Sequence, residues 1–379
     1  MNETELWWQK KREQLLNIAA ENLNAYVYDL DTVSLAVREI SSLQSVSRVL
    51  YAVKANCNGD VLLNLADSGA DFDCVSPGEV NRLLDVIPNL DVSRILFTPN
   101  FAPRREYEWG IEQGITLTLD SLYPLQEWPE LFAGQEILVR IDPGEGQGHH
   151  AHVTTAGSQS KFGISRTEVD ELVSLVEKAN ASVIGIHAHS GSGILDPGNW
   201  QAVARELVKV AEKFPDARIL DLGGGIGVPE KRGDKGFDLA VLDNMLLEFL
   251  AEHPKFELWL EPGRFLVSGA GVLLAHVTQV KGKDGAKYIG VSTGINSLIR
   301  PALYDAYHEI VNLSRLSEEA SESVSVVGPI CETGDQLGSD RLLPPSSEND
   351  VVLIANAGAY GQVMSSLYNL REVPPEISI

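Results

Sequence analysis

Eight apolar, β-rich runs recur through the first two thirds of the chain, at 48–54, 72–75, 94–98, 115–119, 136–141, 183–189, 218–222 and 257–261. Short apolar runs bounded by Gly, Pro, Asn or Asp predict buried strands. Most of the gaps carry apolar residues at helical spacing, as in Glu168 to Ala179, Trp200 to Phe214 and Leu239 to Leu250. This alternation, over roughly 215 residues, predicts a closed (β/α)8 barrel, a TIM-like fold that takes about 250. An open doubly wound sheet is the rival, and it usually stops short of eight strands.

The pattern changes after Pro262-Gly263-Arg264. Val272 to Val277, Tyr288 to Ser292, Val324 to Val327 and Val351 to Ala355 read as strands, with few and short helical segments between them. The expected organisation is α/β: a barrel over 25–265 and a C-terminal β-rich domain over 266–379. Residues 6–22 predict an amphipathic helix with Leu15, Leu16, Ile18 and Ala19 on one side, and Ala25 to Asp29 a short strand. The segment 1–28 is expected to pack on the second domain, where this strand would add an edge.

Composition narrows the partners. A net charge of −23 over 379 residues opposes nucleic acid or anionic membrane as a partner, because phosphates are met by clustered Lys and Arg. Anionic small molecules must then be met by individually placed arginines. Cys57, Cys74 and Cys331 are odd in number and lack CxxC spacing, which fits a reducing cytoplasm. The apolar run after Lys10-Lys11-Arg12 is too short for a signal peptide, and no window approaches the ~18 apolar residues of a membrane helix.

Barrels carry chemistry at the C-terminal ends of their strands. The first run contains Tyr51-Ala52-Val53-Lys54-Ala55-Asn56, and a lysine there can be tuned by burial and charge into a nucleophilic amine. The competing role is a lysine that snorkels out at a strand end. Asp73 lies in the second run, His187-Ala188-His189-Ser190-Gly191-Ser192 ends the sixth, Gly223-Gly224-Gly225 follows the seventh and Glu261-Pro262-Gly263-Arg264 ends the eighth. Three glycines let backbone amides approach an anion, although turns also collect glycine, and Ser192 adds a donor or is a turn residue. A lysine, a phosphate cradle and a carboxylate for a ring nitrogen together suggest pyridoxal 5′-phosphate. His189 would lie on the ring face, or be a satisfied interior histidine. A lone Glu261 ending an apolar strand points to function, since an unpaired buried carboxylate is costly.

No catalytic metal is expected: His149-His150-Ala151-His152 lies in a Gly-rich loop, and His187 and His189 are read as lacking a carboxylate fixed beside them. In the second domain, Cys331-Glu332 sits in a Gly/Pro loop, where a thiol next to a carboxylate suits proton donation and amine binding. A free cysteine is more often buried and structural. Arg300 suits a bidentate carboxylate clamp or an ordinary ion pair, and Tyr304 and Tyr360 are equally core aromatics on spacing alone.

Seven motifs in order, Tyr51 to Asn56, His189 to Ser192, Gly223 to Gly225, Glu261 to Arg264, Arg300-Pro-Ala-Leu-Tyr304, Cys331-Glu332 and Ala357-Gly-Ala-Tyr360, resemble the fold-type III, alanine-racemase-like pyridoxal phosphate decarboxylases over about residues 25 to 375. Cys331-Glu332-Thr333-Gly334-Asp335 is similar to the branch that acts on diaminopimelate. The resemblance implies that Lys54 holds the cofactor covalently, with Asp73 also in the cofactor site and His189 on the ring. Ser192, Gly223 to Gly225 and Tyr360 would surround the phosphate, and Glu261 would face the pyridine nitrogen. It further implies Arg264, Arg300 and Tyr304 on the substrate carboxylate, Glu332 on the distal ammonium, Cys331 as proton donor, and an obligate homodimer with shared active sites.

The family's usual Thr-Pro before the first strand is absent from Asn22-Leu-Asn-Ala-Tyr-Val-Tyr28. The chain also stops at Ile379, in which it is similar to the decarboxylase half of fused aspartate kinase proteins. The activity expected is decarboxylation of meso-2,6-diaminopimelate to L-lysine. The alternatives are another basic substrate (ornithine, arginine, carboxynorspermidine) or a cofactor-binding protein without turnover.

Overall fold

The computed structural model describes residues 5–144 and 160–379. The chain forms two compact units, one of residues 34–228 and 236–265, the other of 1–33, 229–235 and 266–379.

The first unit is the barrel. Eight parallel strands close on themselves: β2 (Arg48–Ala52), β3 (Asp71–Cys74), β4 (Ile95–Phe97), β5 (Thr116–Leu119), β6 (Glu136–Arg140), β7 (Ser182–His187), β8 (Ile219–Asp221) and β9 (Glu257–Leu260), numbered after a strand β1 (Asn24–Tyr28) of the other unit. Pairing of Arg48 with Trp259 and of Val49 with Leu260 joins the last strand to the first, which removes the open-sheet alternative. Leu50, Leu96, Leu138, Ile184, Ile219 and Trp259 form a buried cluster, the packed core of a small barrel. At the strands' N-terminal end Asp71 binds Arg48 at 2.5 Å and Arg94 at 2.8 Å, and the Arg48 guanidinium lies 4.6 Å over the Trp259 ring.

The first barrel strand is shorter than its apolar run. It ends at Ala52, and Val53–Ala55 form one 3-10 turn, tied down by the Tyr51 hydroxyl donating to the Asn56 carbonyl at 2.8 Å. Lys54 therefore stands on a turn just past the strand tip. The next helix, Gly59–Asp67, starts where Asn58 accepts the amides of Asp60 and Val61; helix Pro77–Val86 starts with Ser76 as cap and Pro77 in its first turn.

The second unit is mostly sheet. Its strands β10 (Gly271–Lys283), β11 (Ala286–Val291), β12 (Ile310–Asn312), β13 (Glu322–Val327), β14 (Gln336–Leu343) and β15 (Val351–Ile354) run in the order β12-β15-β10-β11-β13-β14. Strand β1 pairs antiparallel with β10, Tyr26 facing Leu273, and parallel with β16 (Glu376–Ser378). Trp8, Leu15, Val27, Val272, Leu274 and Leu353 belong to its core. The helix expected over 6–22 breaks at Lys11 into Trp7–Lys10 and Arg12–Glu21, and just past the break Arg12 donates to the carbonyls of Leu313 and Ser314, both at 2.8 Å. No helix among the described residues is long and apolar enough to cross a membrane.

Candidate active site

The barrel mouth gathers buried charge at adjacent strand ends. Lys54 Nζ lies 3.4 Å from Asp73 Oδ2, the lysine side chain 43% exposed and the carboxylate 2%. Burial first, then the neighbouring Glu261, pushes the Asp73 carboxyl up against the pull of Lys54. Barrel register explains much of the rest. His187 pairs with Asp221 and Asp221 with Trp259, so the ends of β7, β8 and β9 stand side by side. His187 Nε2 then lies 3.1 Å from Glu261 Oε2, which corrects the expectation that no carboxylate stands beside the histidine pair. Strand order, invisible in the sequence, makes the difference.

Glu261 stays ionised. Burial alone would raise its pKa, but His187, then Lys54 and His189, hold it at about 2. Its Oε1 is buried with no hydrogen-bond partner among the described residues, as is Oδ1 of Asp73. Asp221 is the opposite case: burial and then Glu261 push its carboxyl well above the usual range, while its Oδ1 accepts the Gly223 amide at 3.0 Å. His187, Asp221 and Glu261 also place one ligand-type atom each within 4.8 Å of one another, the group among the described residues with the spacing of a metal site. The stretch 149–152, the other histidine cluster of the sequence, lies outside the described residues.

The glycine run is required by close approach. A Cβ on Gly224 would stand 2.1 Å from the Glu261 carbonyl oxygen, and Gly223 and Gly225 hold φ of +68° and +98°. The Gly224 amide donates to His189 Nδ1 at 3.2 Å. Half-buried His189 is kept neutral, its pKa held down to about 3 by burial, then by Arg140 and Lys54. A neutral ring with a fixed Nδ1 is suited to stacking. Arg264 donates to Ser192 Oγ at 3.0 Å, so both stand on the glycine side of the mouth.

These groups fit pyridoxal phosphate: a lysine over a buried acid, a cradle no side chain can enter, and an ionised buried oxygen awaiting a donor. Arg140 was missed by the sequence reading. It ends β6, is buried, and lies 3.4 Å from Asp120 and 4.5 Å over the Phe162 ring. Its signal was the one that marked Glu261, a charge closing an apolar strand.

In the sheet unit, Arg300 is buried and opens the helix Arg300–Tyr304, with Pro301 in the first turn and Asp305 reversing the chain at φ +52°. Cys331 and Glu332 are exposed, which excludes the buried structural thiol. Asn369 Oδ1 accepts the Cys331 amide at 2.9 Å, and the Tyr368 hydroxyl donates to Glu332 at 2.5 Å. Buried Asp335 accepts the amides of Ile295 and Ile330 and anchors the loop's base. Tyr360, half-buried, sits at φ +57°.

Residues 30–268 match the family model of the pyridoxal-dependent decarboxylases, pyridoxal binding domain. The diaminopimelate decarboxylase of Methanothermobacter thermautotrophicus is 36% identical, the match covering 90% of this chain and 82% of the relative. That of Escherichia coli is 33% identical over 96% of this chain and 91% of the relative. Among solved structures, diaminopimelate decarboxylase from Helicobacter pylori complexed with L-lysine superposes with a TM-score of 0.89 at 29% identity, covering 97% of this chain and 93% of that one.

Proposed function

The chain belongs to the pyridoxal-dependent decarboxylases, and we propose that it releases CO2 from meso-2,6-diaminopimelate to form L-lysine. The observation that carries the reading is the barrel mouth, where Lys54 meets buried Asp73 and an ionised Glu261 keeps one oxygen open. That relatives at 33–36% identity are diaminopimelate decarboxylases, and that the one from Helicobacter pylori is complexed with L-lysine, supports the substrate. The likeness to the decarboxylase half of fused aspartate kinase proteins rests on where the chain ends and carries no part of this reading.

In this proposal the barrel binds the cofactor. Pyridoxal phosphate, when bound, supplies the electron sink that makes loss of CO2 from an amino acid accessible. Lys54 attaches it, with Asp73 as the lysine's counter-charge. Glu261 holds a proton at the ring nitrogen, and neutral His189 lies against the ring. The amides of Gly223 to Gly225, Ser192 and Tyr360 take the phosphate. Arg264 takes part in holding the substrate carboxylate, and its hydrogen bond to Ser192 supports a position beside that cradle. Arg300 and Tyr304 hold a substrate carboxylate, Glu332 accepts the distal ammonium, and the Cys331 thiol delivers a proton to the carbon that has lost CO2.

Exposure of Cys331 and Glu332 beside exposed Leu367, Tyr368 and Leu370 supports a two-fold homodimer in which this loop serves the partner's site. Three free cysteines support a cytoplasmic location.

The test is CO2 release by the cofactor-loaded protein from meso-diaminopimelate, L,L-diaminopimelate, ornithine and arginine. Release from the meso isomer alone, with lysine as product, is expected; release from ornithine or arginine instead would overturn the substrate. Mixing inactive Lys54→Ala and Cys331→Ala proteins should restore about a quarter of the activity through mixed dimers. No recovery after confirmed subunit exchange would sink the shared site.

A further inference from the structure

Arg300 has a neighbour that the activity above does not use. His308 Nε2 lies 3.1 Å from an Arg300 Nη1, and His308 Nδ1 lies 2.8 Å from the Ala355 carbonyl oxygen. Both side chains are buried, His308 at 0% exposure and Arg300 at 3%. A guanidinium nitrogen can only donate and a peptide carbonyl can only accept. The ring between them must carry its proton on Nδ1 and a lone pair on Nε2, so these partners fix one neutral tautomer.

The backbone sets this geometry. The turn at Asp305 ends the helix that Arg300 opens, and the chain enters β12 two residues after His308. Ile310 of β12 pairs with Ile354 of β15, and the Ala355 amide donates to the Glu309 carbonyl at 2.9 Å. The carbonyl that orients the imidazole thus comes from the residue just past β15, whose amide also fixes the histidine's own stretch of backbone. The choice of residue matters chemically. A carboxylate at this nitrogen would orient the arginine but also cancel its charge. A neutral imidazole orients the guanidinium without cancelling its charge.

We propose that His308 is a positioning residue, a neutral imidazole that sets the plane in which Arg300 clamps the substrate carboxylate. This rests on the reading of Arg300 as that clamp. The experiment measures KM and kcat for meso-diaminopimelate, with thermal stability alongside, in four variants. His308→Asn keeps a donor near Nδ1 and loses the acceptor; His308→Gln restores an acceptor near Nε2; His308→Leu loses both; Arg300→Gln removes the clamp.

His308→Asn and His308→Leu are expected to raise KM about tenfold or more with kcat within about threefold, and His308→Gln to return KM to within about threefold of the wild type. If His308→Gln is as impaired as His308→Leu, or if kcat and stability fall together in all three histidine variants, the residue is structural and the proposal is overturned. If Arg300→Gln raises KM while His308→Asn does not, the inference about His308 fails alone. If Arg300→Gln leaves KM unchanged, the clamp reading itself fails.

Discussion

Strand β3 carries two aspartates two residues apart, and they meet opposite fates at the two ends of the barrel. Asp71, at the N-terminal end, has one oxygen on Arg48 at 2.5 Å and the other on Arg94 at 2.8 Å. Both arginines are engaged further, Arg48 with the Ser93 carbonyl and Arg94 with those of Ala66 and Ala70. Asp73, at the mouth, is more deeply buried yet has one cation at 3.4 Å and one oxygen without a hydrogen bond among the described residues. The same side chain is saturated at one end and under-partnered at the other. A saturated charge contributes to the fold; an under-partnered one stores a demand that a ligand can meet.

The largest effects should separate the two ends by readout. Lys54→Ala should cost roughly a thousandfold or more in turnover and abolish covalent capture of the cofactor. A surviving cofactor absorbance band would move the attachment point elsewhere. Glu261→Gln keeps an oxygen for His187 but removes a charge that the fold holds ionised, so turnover should fall roughly a hundredfold and stability should fall with it. Unchanged turnover would place Glu261 with Asp71, as a structural partner.

At the other end the expectation is reversed. Asp71→Asn leaves Arg48 and Arg94 facing a neutral amide and should cost about 1–3 kcal/mol of stability, measured by denaturant unfolding. Turnover of the folded protein should stay at the wild-type value. A change in kcat there would mean that the two ends are energetically linked and that the contrast along β3 is too simple.

How far the sequence reveals this depends on whether a signal is local. The barrel is legible because each strand is a short apolar run with its own punctuation, and Lys54 and Glu261 are legible because each is a lone charge closing such a run. What is not legible depends on register and crossing. His187 meets Glu261 only because β7, β8 and β9 are neighbours, and His308 meets Ala355 only because β12 pairs with β15. Arg140 carries the same local signal as Glu261, a charge closing an apolar run, and its meeting with Asp120 depends on strand order. The break at Lys11 follows no apolar cue, because the contacts next to it are backbone carbonyls of residues 313 and 314. Strands β12, β14 and β16 escaped because they are short or polar, and sheet pairing rather than propensity defines them.

The smallest effect concerns a third carboxyl, behind the mouth, that belongs to neither class. Glu79 lies in the first turn of the helix after β3 and accepts the Val75 amide at 2.8 Å. Burial first, and the charge of Asp73 further, raise its pKa from 4.5 to about 7, against the pull of that amide and of Lys54. The native state therefore holds this proton more tightly than the unfolded chain does. The stabilisation is fully present below pH 4.5 and is lost as pH rises through about 7. Gln at this position mimics the protonated form at every pH. Glu79→Gln should match the wild type in melting temperature near pH 5 and exceed it near pH 8 by about 2 °C, for a difference of about 1–2 kcal/mol after screening. Other mouth carboxyls titrate as well, so the informative quantity is the difference between the two curves. Curves that stay parallel from pH 5 to pH 8 would mean that Glu79 is ionised in the fold, with a partner as effective as those of Asp71. The excess of negative charge at the mouth would then be confined to Asp73 and Glu261, the two groups the cofactor is proposed to meet.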